Sequence, residues 1–120
     1  FFRVVSGKIL SVFEHGEKRL VVPTAAIGIR GTACYIEAEQ KKVYFCLCYG
    51  TALVEPNAEP GRVERIVTEH HDHPIFIHHD KGMPSMANTA VANHTDDELI
   101  MLEWLHRRRP PFYGQGLNEY

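Results

Sequence analysis

The sequence predicts a mainly β chain, an antiparallel β-sandwich or short β-solenoid, with one C-terminal α-helix. Three observations lead there. Short alternating or β-branched runs recur from Gly7 to His79 with turn residues between them, a spacing typical of all-β domains. The stretch Ala33–Cys48 reads as a hairpin. The apolar period changes from two to that of a helix only beyond Asn93.

Taken in order, Gly7–Glu14 alternates, with Ile9, Val12 and Phe13 apolar, and reads as a strand. His15–Lys18 is a polar turn with Gly16, and Arg19–Val22 is a second strand closed by Pro23-Thr24. Ala25–Ile29 is short and apolar. The hairpin arms are Ala33–Ala38 and Val43–Cys48. If polar Glu39–Lys42 turns the chain, Ala38 faces Val43, Ile36 faces Phe45, Tyr35 faces Cys46 and Cys34 faces Leu47. Residues two apart share a face. Cys34, Ile36, Ala38, Val43, Phe45 and Leu47 then form an apolar core face. Cys46 and Cys48 stand side by side on the other, mixed face, with Ala33, Tyr35, Glu37 and Tyr44. Thr51–Val54 is a strand after the Tyr49-Gly50 turn, Pro56–Gly61 a loop, Arg62–Thr68 an edge strand, and Pro74–His79 a short strand. Lys81–Asn93, with Gly82 and Pro84, reads as an extended loop.

Thr95-Asp96-Asp97-Glu98 is a capping box, and the acidic residues suit the positive end of a helix dipole. The predicted helix is Asp96–Arg108, about three turns. Leu99, Leu102 and Leu105, with Ile100 and Trp104, form its apolar stripe. Arg107–Arg109 fall in its last turn and Pro110-Pro111 stop it. The tail Phe112–Tyr120 is expected to be mobile unless its aromatics dock.

A chain of 120 residues suits one domain with a modest core. A net charge of −2 argues against a nucleic-acid partner, which would need a basic face. No apolar run approaches the roughly 20 residues that span a bilayer. The chain opens Phe1-Phe2-Arg3-Val4-Val5, without Met and already strand-like, as a processed chain or a piece of a longer one would. Three cysteines close no disulfide framework, and Cys-x-Cys on one strand is a poor disulfide geometry.

The segment Val22–Val54 resembles the FecR domain family. That family shows Thr-Pro-Thr-Ala-x-Ile-Gly-Val-Arg-Gly-Thr-x-Phe, an alternating strand, then Leu-x-Gly-x-Val. Here the stretch reads Val22-Pro23-Thr24-Ala25-Ala26-Ile27-Gly28-Ile29-Arg30-Gly31-Thr32-Ala33-Cys34, and the turn reads Leu47-Cys48-Tyr49-Gly50-Thr51-Ala52-Leu53. Two positions depart from the pattern. Cys34 replaces the usual aromatic, and the usual acidic residue before the turn glycine is missing. The resemblance covers about a third of the chain, plus the upstream strand Gly7–Phe13. It implies an all-β, FecR-type fold in a bacterial periplasmic or cell-envelope signalling module. Residues 1–80 would be the C-terminal part of such a domain, and 81–120 a loop, helix and tail packed on it. Nothing here matches the membrane and cytoplasmic parts of the family's transporter-to-sigma-factor signalling members.

Eight histidines is an unusual total, and five of them lie between His70 and His79. Glu69-His70-His71-Asp72-His73-Pro74 and His78-His79-Asp80 are dense enough in imidazole and carboxylate to hold Zn, Cu, Ni or Fe. Cys46 and Cys48 could add two thiolates from a neighbouring strand, giving the Cys₂His₂ set that zinc accepts. The candidate ligands are therefore Cys46, Cys48, His70, His71, His73, His78 and His79. His15, His94 and His106 read as turn, pre-cap and helix-surface residues. The plainer reading has the histidines in an exposed loop and the cysteines as small core residues. A gap beyond about 10 Å between the cysteines and every histidine, well past metal–ligand bond lengths, would dissolve the joint site.

A thiol nucleophile with a histidine base is the enzymatic alternative, a small metal- or thiol-dependent enzyme. The sequence offers neither a nucleophile elbow nor an evident oxyanion hole. Recognition by protein contact is the third reading. An open sheet edge would pair with its own missing strands or a second copy, and Trp104, Phe112 and Tyr113 could serve such an interface. The expected function is a non-enzymatic sensing or interaction module, with a protein partner or homo-oligomer and a transition metal such as Zn, Cu or Fe.

Overall fold

The computed structural model of the chain describes residues 2–14, 16–71, 73–80 and 82–114. His15, Asp72, Lys81 and residues 115–120, to which the readings above assign turn, cluster, loop and tail roles, lie outside the described residues.

Two long strands carry the fold, β4 (Ala25–Ala38) and β5 (Lys42–Pro56). The expected hairpin is their distal half. Its register is as predicted, with Ala38↔Val43, Ile36↔Phe45, Tyr35↔Cys46 and Cys34↔Leu47 paired. The pairing does not stop at Gly31 and Gly50 but runs through them. The short stretches Ala25–Ile29 and Thr51–Val54 are thus continuations of the same ribbon. The ladder shifts register between Gly31 and Cys34, and Gly50 sits at φ 118°, a conformation that side chains resist. The bulge changes which side chains point inward. Val43, Phe45 and Leu47 share a core with Ala52 and Val54, while Cys48 and Tyr49 both pack on the opposite face.

Each half of the ribbon has its own partners. β3 (Glu17–Val22) pairs with Ala25–Arg30, and β2 (Gly7–Val12) with Ala33–Ala38. On β5, β6 (Glu64–Thr68) pairs with Gly50–Val54, and β7 (Ile75–His78) with Lys42–Phe45. Two short strands add to these, the first in the opening that already read as strand-like and the second not expected. β1 (Phe2–Arg3) lies parallel to β3, and β8 (Met86–Asn88), inside the predicted 81–93 loop, pairs with β7. The result is mainly β, one eight-stranded mixed sheet curled into a half-barrel with a C-terminal helix. Its inner face is a continuous core that includes Ile27, Ile36, Phe45, Val54, Ile66 and Ile77.

The one helix, α1, spans Asp96–Leu105. Thr95 caps it, and the Glu98 side chain returns to the Thr95 amide, so the predicted capping box is present. The C-terminus falls short of the expected Arg108. His106 is the cap and Arg107 takes φ 57°, so no arginine lies in the last turn. Of the expected apolar stripe, Leu99 is buried and Ile100 packs partly against a second core. Asp96 and Glu103 are buried beside Leu99, whereas Met101, Trp104 and Leu105 face solvent. The acids hold the inner face because each has a buried partner, Glu103 in the Arg108 guanidinium at 2.8 Å and Asp96 in two histidines. Phe112 docks on the chain's own second core, with Tyr49 and Leu99.

Candidate metal centre

The centre lies where β5 lacks a strand on one side. β7 leaves β5 at Phe45 and β6 joins at Gly50, so no strand pairs with Cys46–Tyr49 on that edge. The β6–β7 connection fills the gap, and the His71 amide donates to the Cys48 carbonyl at 2.7 Å. That bond sets His70 and His71 above the outward-facing Cys46 and Cys48. From the other side comes the segment before α1. The Tyr44 hydroxyl donates to the Ala90 carbonyl at 3.1 Å and accepts from the Ala92 amide at 3.0 Å. Asn93 turns with φ 63° and donates to Glu37, and the Tyr35 ring stacks on His94 with centroids 4.6 Å apart.

Four buried donors converge: Cys46, Cys48, His71 and His94, with ligand atoms all within 4.8 Å of one another. The separation that would have dissolved a joint Cys–His site is not found. The Cys48 Sγ to His94 Nε2 distance is 3.5 Å. A tetrahedral zinc with ordinary bond lengths puts S and N about 3.5 Å apart. His71 Nδ1 and His94 Nε2 are 2.8 Å apart, closer than the about 3.3 Å of a bound pair.

Partners outside the cage decide which ring nitrogens carry protons. His94 Nδ1 is 2.8 Å from the Ala92 carbonyl, which only accepts, so Nδ1 bears the hydrogen. His71 Nε2 is 2.7 Å from Asp96 Oδ1, and the other oxygen, Oδ2, is 2.7 Å from His70 Nε2. An ionised Asp96 likewise accepts from His71 Nε2. Both imidazoles then aim lone pairs at each other across 2.8 Å. A cation between or beside them relieves that arrangement, as does a hydrogen donated by the Cys46 or Cys48 thiol. The cation is a proton or a metal ion, and metal-binding histidines take this same outward hydrogen bond to carboxylate or carbonyl.

The electrostatics agree in direction. The neighbouring Cys48 thiol pulls Cys46 down to about 4 against the cost of burial, with His71 and His94 adding to the pull. Cys48 itself is pushed up, first by burial and then by its neighbour. Burial opposes protonation of His71, but hydrogen bonds to Cys46 and Asp96 outweigh it and the net shift is upward. Both shifts favour charge on Cys46 and His71, and a divalent cation bound there would displace the protons. Backbone strain gathers here as well: His71 sits at φ 30°, and Asn93, next to His94, is also left-handed.

Among the predicted ligands, Cys46, Cys48 and His71 meet in the cage. His70 stands one step outside it, bound to Asp96 and stacked on Phe112 at 4.2 Å. His70, His71 and Asp96 form a second, overlapping group of donors. His73 is half-buried, His78 is buried on β7 opposite Lys42, and His79 is exposed. None of these three is among the converging donors. His94, read from the sequence as a pre-cap residue, is the fourth member. His106 is exposed, as expected, but it caps the shorter helix instead of lying on its surface. Cys34 packs in the core on the other face, and burial pushes its thiol up to about 12.

No helix among the described residues is long and apolar enough to cross a membrane. No family model matches the sequence, and no curated protein matches it. Two crystal structures share the fold, both described as “a putative anti-sigma factor from Parabacteroides distasonis”. One aligns with a TM-score of 0.56 at 14% identity and the other with 0.55 at 12%. Each alignment covers 88% of this chain but 46% or 47% of the other, so the chain spans about half the length of the structures it matches. At such identity the likeness is one of fold, a β-rich half-barrel shared with proteins described as regulators.

Proposed function

We propose that this chain is a non-enzymatic interaction module of a bacterial cell-envelope regulator, working on the periplasmic side, whose C-terminal segment is stapled to the sheet by a transition metal. Zinc suits the donors best, because two thiols and two imidazoles are a structural zinc set. The observation that carries the metal reading is the convergence of two thiols and two imidazoles, with ligand atoms all within 4.8 Å of one another. The regulatory reading draws on the FecR-like Ile27–Thr32 motif and on the description borne by the structural neighbours. All four donors are protein side chains, each no more than 1% exposed. That closed set favours a structural or sensing ion over a catalytic one, which keeps a position open.

The ion would join three separate segments: β5 through the cysteines, the β6–β7 connection through His71, and the lead into α1 through His94. Asp96 then couples the centre to the first turn of the helix.

The test is elemental analysis of untagged protein purified without oxygen, beside Cys46→Ser/Cys48→Ser and His94→Ala. One equivalent of metal in the parent, lost in both variants, is expected. Metal-free parent protein that binds no added Zn²⁺ tighter than micromolar would remove the metal reading.

A further inference from the structure

α1 shows solvent the wrong face. Met101, Trp104 and Leu105 are 58%, 66% and 72% exposed. At about 100° per residue they lie on one side of the helix, together with exposed Asp97 and Glu98. The opposite side holds buried Asp96, Leu99 and Glu103. A contiguous apolar stripe of this kind, centred on a tryptophan, marks a contact surface.

We infer that this face is a homodimer interface and that its occupant is α1 of a second copy, packed antiparallel about a two-fold axis. The ends of the stripe carry opposite charge: Asp97 and Glu98 before it, Arg107 and Arg109 beyond it, all exposed. Arg109 is held over the Tyr113 ring at 4.7 Å. A two-fold contact makes residue i of one copy meet residue j of the other and the reverse. The position midway between Asp97 and Arg109 is Glu103, and that between Glu98 and Arg107 falls at Leu102–Glu103. The apolar stripe, 101 to 105, has the same midpoint. An axis there brings the acidic N-terminal end of each helix to the basic segment that follows the helix of the other, and stacks Trp104 and its neighbours between them. A parallel pairing would oppose like charges. An anionic membrane would meet Asp97 and Glu98 beside the apolar residues. The surface therefore complements itself better than either alternative.

The patch is one short helix face, so the dimer belongs at the weak end of specific interfaces, with a dissociation constant on the order of micromolar to tens of micromolar. This inference does not rest on the metal reading. Metal content is measured on the same samples, so either can fail alone.

Sedimentation equilibrium of the full chain from about 1 to about 300 µM tests it. A monomer–dimer equilibrium is expected, weakened at least about tenfold by Trp104→Glu. Charge swaps separate the orientation from general stickiness. Asp97→Arg alone and Arg109→Asp alone should each dimerise less than the parent. Their equimolar mixture should recover association as a heterodimer, because both cross-contacts are then of opposite sign. A monomer throughout the range overturns the inference. So does a dimer indifferent to Trp104→Glu, or a mixture no tighter than its components. Binding to anionic vesicles without self-association would also overturn it.

Discussion

The outer face of the β4–β5 ribbon is covered at one end and bare at the other. At Ala33, Tyr35, Tyr44, Cys46 and Cys48 it lies beneath the chain from Ala90 to Phe112, and these residues are at most 5% exposed. Past the bulge the same face carries Ala26, Gly28, Arg30, Thr51 and Leu53. They floor an open groove of about 880 Å³ walled by Arg19 and Arg65. Both ends share the inner core, so the sheet does not need the cover to form. What holds the cover is in good part polar: the Tyr44 hydroxyl, the Glu37 carboxylate that accepts from Asn93, buried Asp96 and the Cys–His cage, beside apolar Leu99 and Phe112. One end is a β-ribbon made by alternation alone. The other is a docked segment whose attachment depends on a few convergent groups, and so on whatever cation fills the cage.

Removing that cation should split the two ends apart. A metal present at a thousandfold over its dissociation constant stabilises what it binds by about 4 kcal/mol. Chelation is therefore expected to raise amide exchange in residues 69–71 and 90–112 by up to about a thousandfold, while β3 and the Ala25–Arg30 half of β4 change only a few-fold. Equal loss at both ends would show that the centre holds the entire sheet, and the contrast between the ends would be gone.

Asp96→Asn sharpens the same contrast with a smaller effect. The amide keeps the shape and can still accept from His71, but it loses the charge and turns a donor toward one histidine. Loss of an outer partner of this type costs about 10–100-fold in metal affinity. Competition with a chromogenic chelator should show that drop with the Cys₂His₂ stoichiometry intact. An unchanged affinity would mean that Asp96 merely favours the positive end of the helix dipole, and that His71 is oriented by its own backbone bond to Cys48.

The two ends also differed in how much could be read from sequence. The hairpin register followed from two local facts, the polar turn at Glu39–Lys42 and strict alternation on both arms. The shared face of Cys46 and Cys48 needed only an extended chain. His94 was missed because its neighbours explain it locally: Thr95 is a good cap, and the residue before a cap looks like loop. Its role depends on Tyr44 and Glu37, about fifty residues away, which pin the turn at Asn93. The helix face was misread for a related reason. Apolar periodicity cannot weigh an acid whose buried partner is already in place, so Leu105 and Trp104 were expected inside where Asp96 and Glu103 lie. The fold was legible wherever the deciding interactions repeat every second residue. Of the site, Cys46, Cys48 and His71 were legible and His94 was not, because single long-range contacts place it.

One substitution made twice on β4 gives the smallest effect and the most direct comparison. Gly28 pairs with Arg19 on one side and Leu53 on the other, on the bare end. A Cβ placed there meets nothing within 4 Å, and the residue is not among the glycines with positive φ. Gly28→Thr should therefore stabilise by about 0.5–1 kcal/mol, since a strand glycine carries an entropy cost that a β-branched residue lacks. That corresponds to a rise of about 2–6 °C in Tm. Ala33 points from the same strand to the same face at the covered end and is 0% exposed. Ala33→Thr adds volume and a hydroxyl under the docked segment, and should cost about 1–3 kcal/mol. Opposite signs would confirm that only one end is packed. If Gly28→Thr also lowers Tm, the groove is closed in solution by contact with another chain, and the bare end is bare only in the isolated molecule.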